Sequence, residues 1–111
     1  MKTSYFAKVG KLGLKTFSIA LSKPDFYYGP EYRDLAPPSW LLQRYHLDHD
    51  FIKYTDDYIK GVLDKLDPQK VFDDLGDDAV LLCWEKPLSF CHRHIVADWL
   101  GGNLGIEVTE L

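Results

Sequence analysis

The chain has 111 residues, of which 46% are hydrophobic, 27% charged and 16 aromatic, with a formal net charge of −4. That length fits a single domain over residues 1–111, the aromatic content excludes disorder, and no apolar run approaches the roughly 20 residues of a membrane-spanning helix. Lys8 and Lys11 follow Met1–Phe6 where a secretory leader would place its apolar core, and two cysteines are too few for a disulfide scaffold, so free thiols in a reducing, cytoplasmic setting are expected.

In chain order, Lys2–Phe6 reads as a short strand built on β-favouring Thr3, Tyr5 and Phe6. Ala7–Lys15, with Gly10 and Gly13, reads as a loop. Thr16–Leu21 alternates Phe17, Ile19 and Leu21 with the smaller Thr16, Ser18 and Ala20, which predicts a second strand covered on both faces. Lys23–Pro38 is a proline-rich loop carrying Phe26, Tyr27, Tyr28 and Tyr32. An aromatic loop of this length is uncommon in a small domain, and it reads first as a packed lid and second as a base-stacking platform. Ser39 can cap a short helix to about His46. Asp50 can cap a longer one to about Leu66, with Phe51, Tyr54, Tyr58, Val62 and Leu66 at helical spacing. Asp67-Pro68 combines an N-cap with proline at the first helical position, and Gly76 closes that helix after Leu75. Ala79–Trp84 is continuously apolar, as a central strand buried on both faces must be. Cys91–Leu100 forms a helix stopped by Gly101-Gly102, and Ile106–Thr109 a last strand. This order predicts a compact three-layer α/β domain with a small, mostly parallel sheet and helices on both faces.

Charge divides along the chain: residues 1–47 carry a net +4 and residues 48–111 a net −8. The acidic surplus lies on predicted helices and reads as solvated surface. Such a surface repels phosphates and excludes an extended duplex nucleic-acid interface, which leaves any anion to a local basic spot.

Leu81–Leu100 offers that spot. A strand feeding a helix places the helix start at the carboxyl end of the sheet, where ligands of open α/β folds bind. Ser89 as N-cap would leave the N–H groups of Phe90, Cys91 and His92 pointing outward, with about half a positive charge of macrodipole behind them. At about 100° per residue, His92 falls on the apolar face of Ile95, Val96, Trp99 and Leu100, Arg93 on its flank, and Cys91 off it but in the first turn. His94 faces solvent, four residues before Asp98. Cys91 is then a candidate nucleophile or redox thiol, His92 its acid–base partner, and Glu85 the group that orients it. Arg93, Ser89, Lys86 and Lys23 are candidate anion contacts. Bland readings stand beside these: Cys83 as a packed thiol, Cys91 as an ordinary helix-start residue, His92 bonded to a loop carbonyl, and Arg93 paired with Glu85.

The run Leu81-Leu82-Cys83-Trp84-Glu85-Lys86-Pro87, followed by Phe90-Cys91-His92-Arg93-His94, then Val96-Ala97 and Trp99-Leu100, resembles the bacterial and phage family known as domain of unknown function 488 (DUF488). Leu35-Ala36-Pro37, Tyr54-Thr55, Tyr58 and Leu66-Asp67-Pro68 fit the same pattern, as do Thr3-Ser4-Tyr5-Phe6 and Ser18-Ile19-Ala20. The resemblance implies a compact α/β fold and carries no assigned reaction. Many members place a basic residue just after the second strand; here that place holds Leu21-Ser22, with Lys23 following.

Other chemistries lack their residues. A cysteine-phosphatase loop needs Arg six residues after its Cys, where this chain has Ala97 or Ser89, and there is no Walker loop. Cys83, Cys91 and His92 match no standard zinc spacing, and capping explains Asp48 and Asp50 beside His46 and His49, so neither metal nor cofactor is expected. Two functions of different class follow. One is binding of, or chemistry on, a small anionic ligand, nucleotide-like or a nucleic-acid end. The other is a non-catalytic phage or mobile-element accessory module, in which the same residues lock strand to helix.

Overall fold

The computed structural model describes residues 1–9, 14–84 and 91–111. Four strands form one wholly parallel sheet in the order β2-β3-β1-β4: β1 is Lys2–Tyr5, β2 Thr16–Ser18, β3 Val80–Cys83 and β4 Thr109–Glu110. β1 and β3 are the central pair, with Ser4 opposite Leu82 and Tyr5 opposite Cys83. All four residues of β3 are buried, as its unbroken apolar run requires. Side chains alternate across a strand. Leu81 therefore joins Ile19, Leu35, Tyr58, Leu75, Val96 and Leu100 under the helices. Val80 and Leu82 join Phe6, Ala20 and Tyr27 on the opposite face.

Five helices accompany the sheet among the described residues: α1 Phe6–Val9, α2 Ser39–Asp48, α3 Phe51–Gly61, α4 Pro68–Leu75 and α5 His92–Leu104. The segment read as loop after β1 thus begins with a helical turn, and Phe6 lies in it instead of ending the strand. The face opposite the long helices is covered by Phe6 and by Tyr27, whose tilted rings have centroids 5.2 Å apart. The Tyr27 hydroxyl donates to the Pro30 carbonyl at 2.8 Å, so the aromatic loop is packed at its centre, while Tyr28 is 90% exposed.

Local chemistry sets most helix ends. Asp50 accepts from the Lys53 amide at 3.0 Å and Asp67 from the Gln69 amide at 3.0 Å, both as expected. Asp67→Ala should cost about 1 kcal/mol in urea unfolding, the usual value of an N-cap. Three helices and the last strand differ from expectation at their ends. Pro38, not Ser39, is the N-cap of α2, which runs on to Asp48 and closes on His49 in the left-handed region. α3 stops at Gly61, and Leu63–Lys65 form a 3-10 turn before Leu66. α5 passes through Gly101-Gly102 and ends at Gly105, whose φ is 67°. Two glycines weaken a helix by about 1 kcal/mol each relative to Ala, but α5 is held by buried Ile95, Val96 and Leu100. The space at Gly101 is also used: a Cβ there would lie 3.1 Å from the Ile106 carbonyl, where the chain turns back. The last strand consequently starts at Thr109, not Ile106.

Candidate functional site

The end of β3 and the start of α5 meet because a parallel crossover brings the helix back over the strand it leaves. Cys91 is the N-cap of α5, so the first-turn amides begin at His92 and not at Phe90. Ser89, expected as the cap, lies outside the described residues, as do Glu85 and Lys86. Cys83 and Cys91 are joined through their sulfurs, with Cα atoms 7.1 Å apart. This corrects the expectation of free thiols, while Cys83 is packed in the core as expected, 1% exposed. Cys91 is also 4% exposed, not off the buried face, and packs with Cys83, Phe6 and Leu82.

His92 is buried, as its place on the apolar face requires. Its Nε2 lies 2.6 Å from the Ile19 carbonyl. A carbonyl only accepts, so Nε2 carries the hydrogen and Nδ1 keeps its lone pair. Nδ1 faces Cys91 Sγ at 3.7 Å. A backbone carbonyl just beyond β2 thus orients the imidazole through Nε2, while Glu85, expected to orient it, lies outside the described residues. The ring of Tyr58 meets the imidazole edge-on at 5.5 Å, and the Tyr58 hydroxyl is anchored on the Leu35 carbonyl at 2.5 Å. Burial lowers the His92 pKa to about 4, opposed by the Ile19 hydrogen bond and aided by the Arg93 charge. The imidazole is accordingly neutral near pH 7.

Arg93 does not lie on the flank of α5. Its side chain is 0% exposed and forms a two-pronged ion pair with Glu110, Nε to Oε1 at 3.1 Å and Nη2 to Oε2 at 2.9 Å. Nη1 donates to Cys83 Sγ at 3.1 Å. Thr3 donates to Glu110 Oε1 at 2.6 Å, which ties β1 and β4 to the same guanidinium. Burial pushes the Glu110 carboxyl up, but the hydrogen bonds from Arg93 and Thr3 and the Arg93 charge outweigh it, and the net direction is down. A guanidinium held this way is not presented to an external anion. Lys23 is likewise engaged, donating to the Tyr27 carbonyl at 2.8 Å, and it does not line the cleft described next. His94 is only partly exposed, so it is not the solvent-facing residue expected. Burial and Arg93 lower its pKa, against opposing contributions from Glu110 and Asp98.

A cleft of ≈ 120 Å³ opens over the cysteine pair. Its floor is Cys83, Cys91 and His92, and rings of Tyr45, His46, Tyr54 and Trp84 stand around it. Its volume suits one planar ring or a phosphate-sized group more than a whole dinucleotide. Among the described residues no Lys or Arg lines it. The ligand atoms of Cys83, Cys91 and His92 lie within 4.8 Å of one another, so the fold assembles a three-donor set that the sequence spacing gave no reason to expect. While the sulfurs are bonded to each other, neither can serve as a thiolate ligand.

A family model described as the active DUF488-N3 subclade matches residues 16–104. The chain belongs to the DUF488 family. The match runs from β2 to the end of α5 and so contains Cys83, Cys91, His92 and Arg93, while β1 and β4, which supply Thr3 and Glu110, lie outside it. Neither the curated proteins nor the solved structures contain a match to this DUF488 chain. The structure places Cys91 and His92 in contact, and nothing in the sequence singles out Glu110, the Ile19 carbonyl or the ring wall of the cleft. Glu110 follows Arg93 by 17 positions on another element, and no local spacing relates them. No helix among the described residues is long and apolar enough to cross a membrane.

Proposed function

We propose that this DUF488 chain binds a small anionic, nucleotide-like ligand in the cleft at the start of α5 and, once its cysteines are reduced, acts on it through the Cys91 thiol. The observation that carries this reading is the contact of Cys91 Sγ with the unprotonated Nδ1 of His92 on the floor of a ring-lined cleft. A reduced Cys91 can give its proton to Nδ1 as it attacks, while the Ile19 carbonyl holds the imidazole in the required tautomer. The α5 N-terminus favours both the thiolate and an anionic substituent beside it. Tyr45, Tyr54, His46 and Trp84 offer flat surfaces for a base or similar ring. Ser89 and Lys86 remain the proposed anion contacts; Arg93 acts indirectly, through Cys83. The matched subclade's description as active favours chemistry over a purely structural role.

Alkylation of the reduced Cys83→Ser protein by iodoacetamide should report a Cys91 thiol that ionises more readily than an ordinary one, whose pKa is about 8.5. AMP should slow that alkylation and quench Trp84, which is 48% exposed at the cleft mouth. An ordinary thiol pKa with no protection by AMP or inorganic phosphate would sink the reading. That outcome would favour the second reading, a non-catalytic module, which is supported by the closed Arg93–Glu110–Thr3 network joining α5, β4 and β1.

A further inference from the structure

We infer that Cys83 is a resolving cysteine: the Cys83–Cys91 pair exchanges with a low-molecular-weight thiol entering the cleft, and Arg93, braced by Glu110, holds the departing Cys83 thiolate. This rests on the proposed function only in taking Cys91 as the thiol that meets the ligand. Both sulfurs line the cleft, so an incoming thiolate can reach the bond. Their surroundings differ. Cys83 Sγ accepts from the Arg93 guanidinium at 3.1 Å, a full charge with 0% side-chain exposure. Cys91 Sγ has the helix start and a neutral imidazole. Exchange proceeds fastest through the better-stabilised leaving thiolate, so attack should fall on Cys91. The thiolate's sulfur bonds to Cys91 Sγ, the Cys83–Cys91 bond breaks, and its electron pair leaves on Cys83. A second thiolate then attacks the mixed disulfide, releases the oxidised small molecule and leaves Cys91 as thiolate, which takes a proton from water. Overall, two thiols are oxidised to one disulfide, and the protein pair gains two electrons and two protons. The oxidised pair withholds the Cys91 thiol and the reduced pair supplies it. Arg93 and Glu110 are positioning residues here, with no contact to the small thiol.

The test equilibrates the full chain with reduced and oxidised glutathione in varied ratio at pH 7, with EDTA present so that metal capture does not compete. Acid quenching and maleimide mass-tagging then count free thiols. A single two-thiol transition within the accessible ratios is expected, and Cys83→Ser should trap glutathione on Cys91. Arg93→Met should shift the equilibrium about tenfold toward the disulfide, the factor equivalent to one pKa unit on the leaving thiol. Glu110→Gln keeps an acceptor on Arg93 but removes the neutralising charge, so it should shift the equilibrium several-fold the opposite way, toward the dithiol. If Arg93→Met does not fold, Glu110→Gln alone decides the sign. A pair that stays oxidised or reduced at every ratio, more glutathione trapped on Cys83 in Cys91→Ser than on Cys91 in Cys83→Ser, or a Glu110→Gln shift toward the disulfide or no shift would overturn the inference. No AMP is present, so failure of the ligand-binding reading leaves this result intact, and the reverse holds too.

Discussion

Glu110→Leu is expected to destabilise the protein by about 3–5 kcal/mol, because it strands a fully buried guanidinium without its carboxylate. Arg93 has 0% side-chain exposure, whereas Glu110 retains 25%. The two halves of this ion pair are therefore not equivalent. Arg93→Met removes the buried charge and leaves Glu110 near enough to water to rehydrate, so its cost should be clearly smaller. The double variant should recover part of the loss seen in Glu110→Leu, since an apolar pair avoids the desolvation that makes a lone buried charge costly. Urea unfolding of the three oxidised proteins, followed by tryptophan fluorescence, measures all three values. A Glu110→Leu cost below about 1 kcal/mol would mean that Arg93 finds water or another partner without penalty. The effect reaches beyond local contact because Glu110 lies in β4 beside β1, where Thr3 shares the same carboxylate.

Stability should fall by about 3 kcal/mol as pH drops from 6.5 to about 4, through His92 alone. Burial is the main cause of its lowered pKa, with the Arg93 charge adding to it and the Ile19 hydrogen bond opposing. The sign follows from proton counting. Below the unfolded pKa near 6.5 the unfolded chain binds a proton that the folded imidazole refuses, so each step down in pH favours unfolding until the folded group also titrates. His92→Gln has no such group and should lose this part of the slope. His94 is also lowered, so a residual slope of the same sign should persist in that variant. Glu110 acts in a more acidic window: its lowered carboxyl contributes stability above the unfolded value and loses it as pH falls through the folded one. Free energies of unfolding at several pH values between 4 and 7.5, wild type against His92→Gln, separate the contributions. Identical pH profiles for the two proteins would show that His92 is protonated as readily in the fold as out of it.

The sequence by itself determined the elements whose signals are local. Asp50 and Asp67 cap their helices through side-chain oxygens two or three residues from the amides they bind. The apolar run Val80–Cys83 is the buried central strand, and His92 lies inward because helical rotation puts it in line with Ile95 and Val96. The Cys-Glu and Cys-His-Arg pattern was enough to indicate the DUF488 family, and the matched region contains it. Tertiary structure decided everything that depends on distant partners. Local propensity ends α5 at Gly101-Gly102, yet packing of Leu100 and the return of the chain past Gly101 carry it to Leu104. The helical wheel puts Arg93 on the flank of the apolar face, and a carboxylate from β4 satisfies its charge and allows it fully into the interior. Two cysteines eight positions apart read as independent thiols until strand end and helix start meet. Capping and periodicity act over one or two turns of chain, and patterning registers them. Burial of a charge and the meeting of two sulfurs depend on which strands become neighbours, and in this protein that placement joins Thr3, Cys83, Cys91, Arg93 and Glu110 into one connected cluster.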